Sequence, residues 1–281
     1  MDEKQYVHQL LSLLNKKKEF SQYFSPHIRE LQHKLTRWED ESIRIGLVGV
    51  TSSGKSTLLN ALLGDDILPT AVRPSSGTII ICSKGDETKA KILFEDRTTK
   101  VVTGDKEISE ALKLYGDELY NKENKYKVKE IHLESKNFLL PKNIQIIDSP
   151  GLDAYGLERH EEITLSTLLP TIDICLYVVT LKANSDETTY RILEQIHNQF
   201  KPMIIVQNML DSIEPKIGVN GVIEKSREQI AEQHMDRTKR ILDKVDPSLH
   251  KLVQIVQVSA KRAVDARKEN DEKKFKQSQL D

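Results

Sequence analysis

The chain has 281 residues, 38% of them hydrophobic and 30% charged, with a formal net charge of −1. These proportions fit a well-cored domain with a strongly solvated surface, and they exclude the global basic field that nucleic acid or anionic lipid would require. No 18-residue apolar run and no leader-like start occurs, so a cytoplasmic protein without a spanning helix is expected.

Val7, Leu10, Leu11 and Leu14 recur at helical spacing behind Asp2 as N-cap, which predicts an opening helix. Lys16, Lys17 and Lys18 read as a solvated helix face. Ser25 followed by Pro26 announces a second helix, with an apolar face of Ile28, Leu31, Leu35 and Trp38. Both stripes need something to cover them. From Ile43 onward the pattern becomes strand, loop and helix. Apolar runs at 43–48, 78–82, 90–94, 144–147, 173–179, 203–206 and 252–258 predict strands. Helical spacing predicts helices near 56–63, 107–119, 158–169, 186–199, 223–245 and after 260. Asn184 with Glu187 makes a capping-box-like start for the fourth of these, while residues 121–129 read as a surface connection. Such alternation argues for an α/β fold whose mainly parallel sheet is covered by helices on both faces. Cys82 and Cys175 are the only cysteines, and their apolar surroundings predict buried, reduced thiols.

Four segments carry chemistry, each at the carboxyl end of a predicted strand. Gly49, Val50, Thr51, Ser52, Ser53, Gly54, Lys55 and Ser56 satisfy the phosphate-loop pattern, directly after one strand and before a helix. The glycines let backbone N–H groups curl round phosphates at a helix N-terminus. Lys55 is expected to reach the β- and γ-phosphates, and the Ser56 hydroxyl to ligate Mg²⁺, with Thr57 beside it among the nucleotide contacts. By average residue usage such a pattern arises by chance on the order of once per hundred chains of this size, before its context is counted.

The second segment, Ile144 to Gly151, is a buried strand ending in Asp148-Ser149-Pro150-Gly151. There Asp148 can hold the Mg²⁺ shell and Gly151 can give its N–H to a γ-phosphate. Asn208-Met209-Leu210-Asp211 follows a third strand, where the guanine signature of GTPases reads Asn-Lys-x-Asp. Asp211 can accept the N1 and N2 protons of guanine, whereas adenine offers no such donor pair. Met209 replaces the lysine and can lay a polarizable stem over the base. Ser259-Ala260-Lys261 ends the last strand, as in the fifth GTPase element, where a backbone N–H meets guanine O6 and the lysine stem packs on the base. The order of the four, more than any one of them, predicts a Mg²⁺-dependent GTPase that binds GTP and GDP.

The stretch Ile43–Gly64 continues through Leu68-Pro69 and Pro74-Ser75-Ser76, and in this it resembles the GTPase domain of dynamin-like proteins, bacterial ones in particular. The resemblance extends to the roughly 90 residues between Lys55 and Asp148 and to helices on either side of the domain. It implies a flanking helical bundle, with a hairpin over 1–40, the GTPase domain over 41–261 and the start of a C-terminal helix over 262–281. It also implies that Ser76 closes on Mg²⁺, with Thr78 a second candidate, and that Ser52 positions a monovalent cation (K⁺ or Na⁺) or neutralises transition-state charge. Two departures matter: Thr51 stands where dynamins usually carry glutamine, and Leu152 where small GTPases have a water-orienting glutamine.

With no water-positioner evident in cis, the resemblance implies a homodimer across the nucleotide face. Neither the charge nor any appended motif supplies an RNA-binding part, so no nucleic acid is expected, and any peripheral membrane association would run through regions outside this chain. A nucleotide-dependent binding switch with little turnover stays open as the alternative. His160 beside Glu161 and Glu162 reads as a surface helix start, and Asp153 as a candidate for orienting water or crossing a dimer interface.

Overall fold

The computed structural model describes residues 3–25, 27–28, 31–32, 35, 42–69, 78–149, 168–181, 186–199, 201–218 and 220–280. Helices α1 (Glu3–Asn15) and α2 (Lys18–Tyr23) open the chain, and Ser25, Ile28, Leu31 and Leu35 are helical beyond them. The two predicted stripes cover each other in part, and Leu10 of the first stays exposed. Leu11, Ile28 and Leu35 are buried together, with Val7, Leu14, Phe24 and Leu31 packed around them. Asp2, Pro26 and Trp38 lie outside the described residues.

A nine-stranded sheet follows, in the order β11-β8-β7-β1-β6-β2-β5-β3-β4. Its strands are β1 (Ile43–Gly49), β2 (Ile80–Lys84), β3 (Lys89–Phe94), β4 (Thr99–Thr103), β5 (Val128–Ser135), β6 (Ile144–Asp148), β7 (Ile174–Thr180), β8 (Met203–Asn208) and β11 (Gln254–Gln257). β1 lies between β6 and β7 and runs parallel to both, and β7, β8 and β11 continue in parallel. β2 turns antiparallel to β6, and β3 is antiparallel to both β5 and β4. The sheet is mixed but mostly parallel, and β1 stands where strand order reverses. Crevices outside strand carboxyl ends form at such switch points.

Successive side chains on a strand point to opposite faces, and the core divides accordingly. Leu47, Cys82, Ile146, Val178 and Val206 pack beneath α3 (Lys55–Leu63), α4 (Asp105–Gly116) and α8 (Ala260–Glu269). Val48, Ile81, Ile147, Tyr177, Val179 and Ile205 face α5 (Asp186–Asn198), α6 (Arg227–Val245) and the short α7 (Leu249–Leu252). Both cysteines are free and buried. Burial pushes the Cys175 thiol up to about 12. Cys82 is likewise raised, by burial first and then by the nearby Asp148 carboxylate.

The structure corrects several sequence expectations. The connection predicted over 121–129 gives way at Val128 to β5, which buries Val128, Ile131 and Leu133 while Lys129 stays exposed. The helix expected from 223 begins at Arg227, because Ile223–Lys225 is β10, paired with β9 (Lys216–Ile217) in a two-stranded ribbon. Ser226 starts α6 with a full capping box to Gln229. The helix after Lys261 is not continuous. α8 ends at Asn270 in the left-handed region (φ 53°), α9 (Glu272–Lys276) follows, and Leu280 packs against the main core. Residues 158–167 and Asn184 lie outside the described residues.

Candidate nucleotide-binding site

The loop after β1 is shaped by its backbone. Ser52 and Gly54 take positive φ values of 62° and 86°. Left-handed residues interleaved with ordinary ones turn successive N–H groups toward one concavity, an arrangement suited to anions. A Cβ on Gly49 would lie 2.3 Å from the Val178 carbonyl oxygen of the neighbouring strand, and one on Gly54 would lie 2.3 Å from Asn208 Nδ2. Neither position accepts a side chain. Gly54→Ala adds a left-handed alanine, costing about 1–2 kcal/mol, to that collision. It is expected to lower nucleotide affinity at least tenfold while far-ultraviolet circular dichroism stays native, as titration with a fluorescent GDP analogue would show.

Lys55 is buried in the first turn of α3, and its Nζ donates to the carbonyls of Gly49 (2.9 Å) and Val50 (3.1 Å). Its cationic end is thereby held against the inside of the loop. Ser53 is fully buried, and its Oγ has no hydrogen-bond partner among the described residues. Thr51 is half-buried, while Ser56 and Thr57 are half-buried on the first turn of α3. Asp148 is 1% exposed at the carboxyl end of β6, opposite Leu47, two residues before Gly49.

Asn208 gathers the distant segments. Its Nδ2 donates to the Ser53 carbonyl at 3.0 Å, and its Oδ1 accepts the Ala260 N–H at 3.1 Å. One buried amide therefore ties the phosphate loop, the end of β8 and the Ser-Ala-Lys turn together. Met209 is left-handed (φ 70°), and its sulfur accepts from Thr180 Oγ1 at 3.2 Å. Asp211 is half-buried rather than fully enclosed, and its Oδ1 accepts from the Ser259 hydroxyl. The same hydroxyl oxygen accepts from the Arg262 N–H and caps α8, so one serine orients the carboxylate and starts the helix. Lys261 stands exposed on the first turn of α8. Between these elements lies a cleft of about 530 Å³, bordered by Gly54, Thr57, Asn208, Met209, Asp211 and Lys261. That volume falls within the ordinary range of ligand pockets.

Ser76, Gly151, Leu152, Asp153 and His160 lie outside the described residues. Thr78 is described and is 4% exposed, and its hydroxyl donates to the Tyr115 carbonyl at 3.2 Å. Sequence reasoning passed over Thr180 and Asn60, although Asn60 is an amide on the apolar side of a helix, a position that demands hydrogen-bond partners.

The residues fit a triphosphate with a hard divalent cation. The loop at Ser52–Gly54 is shaped for an anion, Lys55 and the Ser53 hydroxyl (unpartnered among the described residues) are buried beside it, and the Ser56 hydroxyl and Asp148 carboxylate are oxygen donors of the kind Mg²⁺ prefers. The fold and site together define an α/β P-loop nucleotide-binding domain. Comparison with known proteins is more specific. The Dynamin family profile matches residues 45–210, and the chain belongs to that family of GTPases. It is 25% identical to Dynamin-like protein 1 of Campylobacter jejuni over 248 residues, 77% of this chain and 34% of that one. It is 35% identical to Dynamin-like protein 2 of the same organism over 130 residues, 46% of this chain and 19% of that one. The chain thus spans about a third or less of the length of these curated relatives. A solved oligomerised bacterial dynamin pair, described as a mechanism for long-range sensing and tethering of membranes, shares the fold. Its TM-score is 0.56 at 22% identity, covering 94% of this chain and 39% of that one. Among the described residues, no helix is long and apolar enough to cross a membrane.

Proposed function

We propose that this chain is the GTPase part of a dynamin-like protein: it binds GTP and GDP with Mg²⁺ and hydrolyses GTP, activated by pairing of two copies across the nucleotide face. The observation that supports the reading is the Asn208 bridge, which joins the loop at Ser53 to the turn at Ala260 beside the cleft that Met209 and Asp211 border. In this reading residues 41–261 form the catalytic domain, 1–40 a helical hairpin beside it and 262–281 a C-terminal helical element. The protein works in the cytoplasm, with peripheral membrane association through regions outside this chain, and no nucleic acid takes part.

Mg²⁺ would supply charge neutralisation at the phosphates. Ser56, Asp148 and Ser76 would hold it. The engagement of the Thr78 hydroxyl with Tyr115 favours Ser76 over Thr78. Lys55 compensates β- and γ-phosphate charge, the Gly151 N–H meets the γ-phosphate, and Thr51, Ser53 and Gly54 supply the cradle. Asp211 accepts from guanine, a backbone N–H of the Ser259–Lys261 turn meets O6, and Met209 and Lys261 pack on the base. Exposed, left-handed Ser52 is the residue that would position K⁺ or Na⁺.

The test is the dependence of turnover on protein concentration. Pairing would bring Pro69–Thr78 of each copy against Leu152–Arg159 of the other and order the attacking water. Phosphate release per mole is expected to rise across a hundredfold concentration range, and GDP with a metal fluoride is expected to shift the protein to a dimer in size-exclusion chromatography. Flat specific activity from a persistent monomer would remove the dimer from the reading. Tight GTP binding with negligible release at any concentration would favour a binding switch instead.

A further inference from the structure

The cleft has a second end, away from the phosphate loop. There Asp66, in the loop that follows α3, meets Lys268 in the last turn of α8, with Lys268 Nζ 2.5 Å from Asp66 Oδ2. Both residues border the cleft, with Asp265 between Lys268 and Lys261 on the same helix. The other oxygen of Asp66, Oδ1, accepts from Asn60 Nδ2 at 2.9 Å. Asn60 is 1% exposed and is itself fixed, because its Oδ1 accepts the Leu68 N–H at 2.8 Å and its Nδ2 donates to the Leu68 carbonyl at 2.9 Å.

An exposed aspartate is thus held from below by a buried amide and holds a lysine on the opposite wall. The two walls it joins are unequal in kind. α3 presents Lys55, Ser56 and Thr57 at its start, while α8 presents Ala260 and Lys261 at its own. Asn208 joins these starts at the inner end of the cleft. Asp66 and Lys268 join the opposite ends. The hydrogen bond that Lys268 donates to Asp66 is the first cause of a raised Lys268 pKa, ahead of the charge of the same carboxylate.

We infer that Asp66 is a positioning residue for nucleotide retention, fixing the far end of α8 through Lys268 and so holding the Lys261 wall closed on the bound base. The inference rests on reading the cleft as a guanine-nucleotide site. A pair this exposed is worth little to the fold as a whole. α3 and α8 pack directly on each other, and the Asp66–Lys268 pair and Asn208 fasten the two ends of that contact, so the effect of the pair falls on the alignment of the two helices along the cleft.

The experiment measures release of a fluorescent GDP analogue from wild type, Asp66→Asn, Lys268→Met, the double variant and Lys268→Arg, at low and high salt. Asp66→Asn keeps an acceptor for Asn60 and removes only the ion pair, so it is expected to fold normally. Both single variants are expected to speed release about two- to fivefold, the range an exposed pair supports. The double variant should be no faster than either single one, and Lys268→Arg should restore slow release. Salt should speed release from wild type by a larger factor than from Asp66→Asn, since part of what screening removes is already gone from the variant. Unchanged release in both single variants overturns the inference. So do additive effects in the double variant, which would mean that each residue touches the nucleotide separately. If wild type fails to bind the GDP analogue at all, it is the reading of the cleft that falls.

Discussion

Lys55→Ala is expected to leave a folded protein that no longer turns over GTP. In the structure the Lys55 ammonium contributes two hydrogen bonds to its own loop, at 2.9 and 3.1 Å, and lies inside the curl rather than in the hydrophobic core. Its loss frees two carbonyls of its own loop and leaves the apolar contacts of the core in place, so the fold is expected to survive. Its loss at the phosphates is large. A preorganised cation facing developing charge in a water-poor site accounts for a factor on the order of 10²–10³ in rate when one donor is removed. Release of phosphate under saturating GTP should therefore fall by at least that factor while the thermal midpoint stays near wild type. Wild-type turnover in a folded Lys55→Ala protein would show that the loop does not hold the reacting phosphates.

Asp211→Asn is expected to turn the base preference from guanine toward xanthine. The Asp211 carboxylate accepts one hydrogen bond from Ser259, which leaves its remaining lone pairs for a donor pair such as N1–H and N2–H of guanine. An asparagine there would keep the Ser259 bond through its oxygen and turn its NH₂ toward the ligand. That group clashes with the guanine amine but donates to the O2 of xanthine. Leaving a partly buried polar group without a partner costs about 1–3 kcal/mol, and the wrong base bears that penalty in each protein. Wild type should accordingly favour GTP over ATP by more than tenfold, and the variant should favour xanthosine triphosphate over GTP. Competition against a fluorescent guanine nucleotide measures both. Equal affinities for ATP and GTP in wild type would reduce Asn208 and Asp211 to a turn.

The parts of the fold that were legible in the sequence are those with a period. The alternation of Leu47 with Val48 and of Ile146 with Ile147 marks strands buried on both faces, and these sit at the middle of the sheet. The edge was harder to see. β4 buries almost nothing, so Thr99–Thr103 carries no apolar pattern. β5 does alternate, but Lys129, Glu130, His132 and Glu134 fill its other face and disguise Ile131 and Leu133 as isolated apolar residues. The start of α6 could have been read from Ser226 and Gln229, whose spacing is that of a capping box; the apolar Val222 and Ile223 drew the helix too early.

The candidate site divides along the same line. Backbone-shaping motifs such as Gly49 to Ser56 are contiguous and declare themselves. Residues that join segments do not. Neither the contact between Thr180 and Met209 nor the chain from Asn60 through Asp66 to Lys268 follows from spacing, because each depends on where two separate helices or strands come to rest. Asp211 is half-buried, since it borders the cleft, and its exposure likewise does not follow from its spacing to Asn208.

Asn208 also sets an order of events. Its partners Ser53 and Ala260 stand 155 and 52 positions away along the chain. Closing contacts across such spans is the slow part of folding, because the intervening chain must be ordered before the contact repays it. A nascent chain emerges N-terminus first, so the glycine-rich loop leaves the ribosome long before the residues that brace it. Until Ala260 has emerged and β11 has docked beside β8, the growing polypeptide carries the phosphate-loop sequence without the finished loop. Nucleotide capture is then a late event in the life of the nascent protein, deferred until the last strand of the sheet is in place.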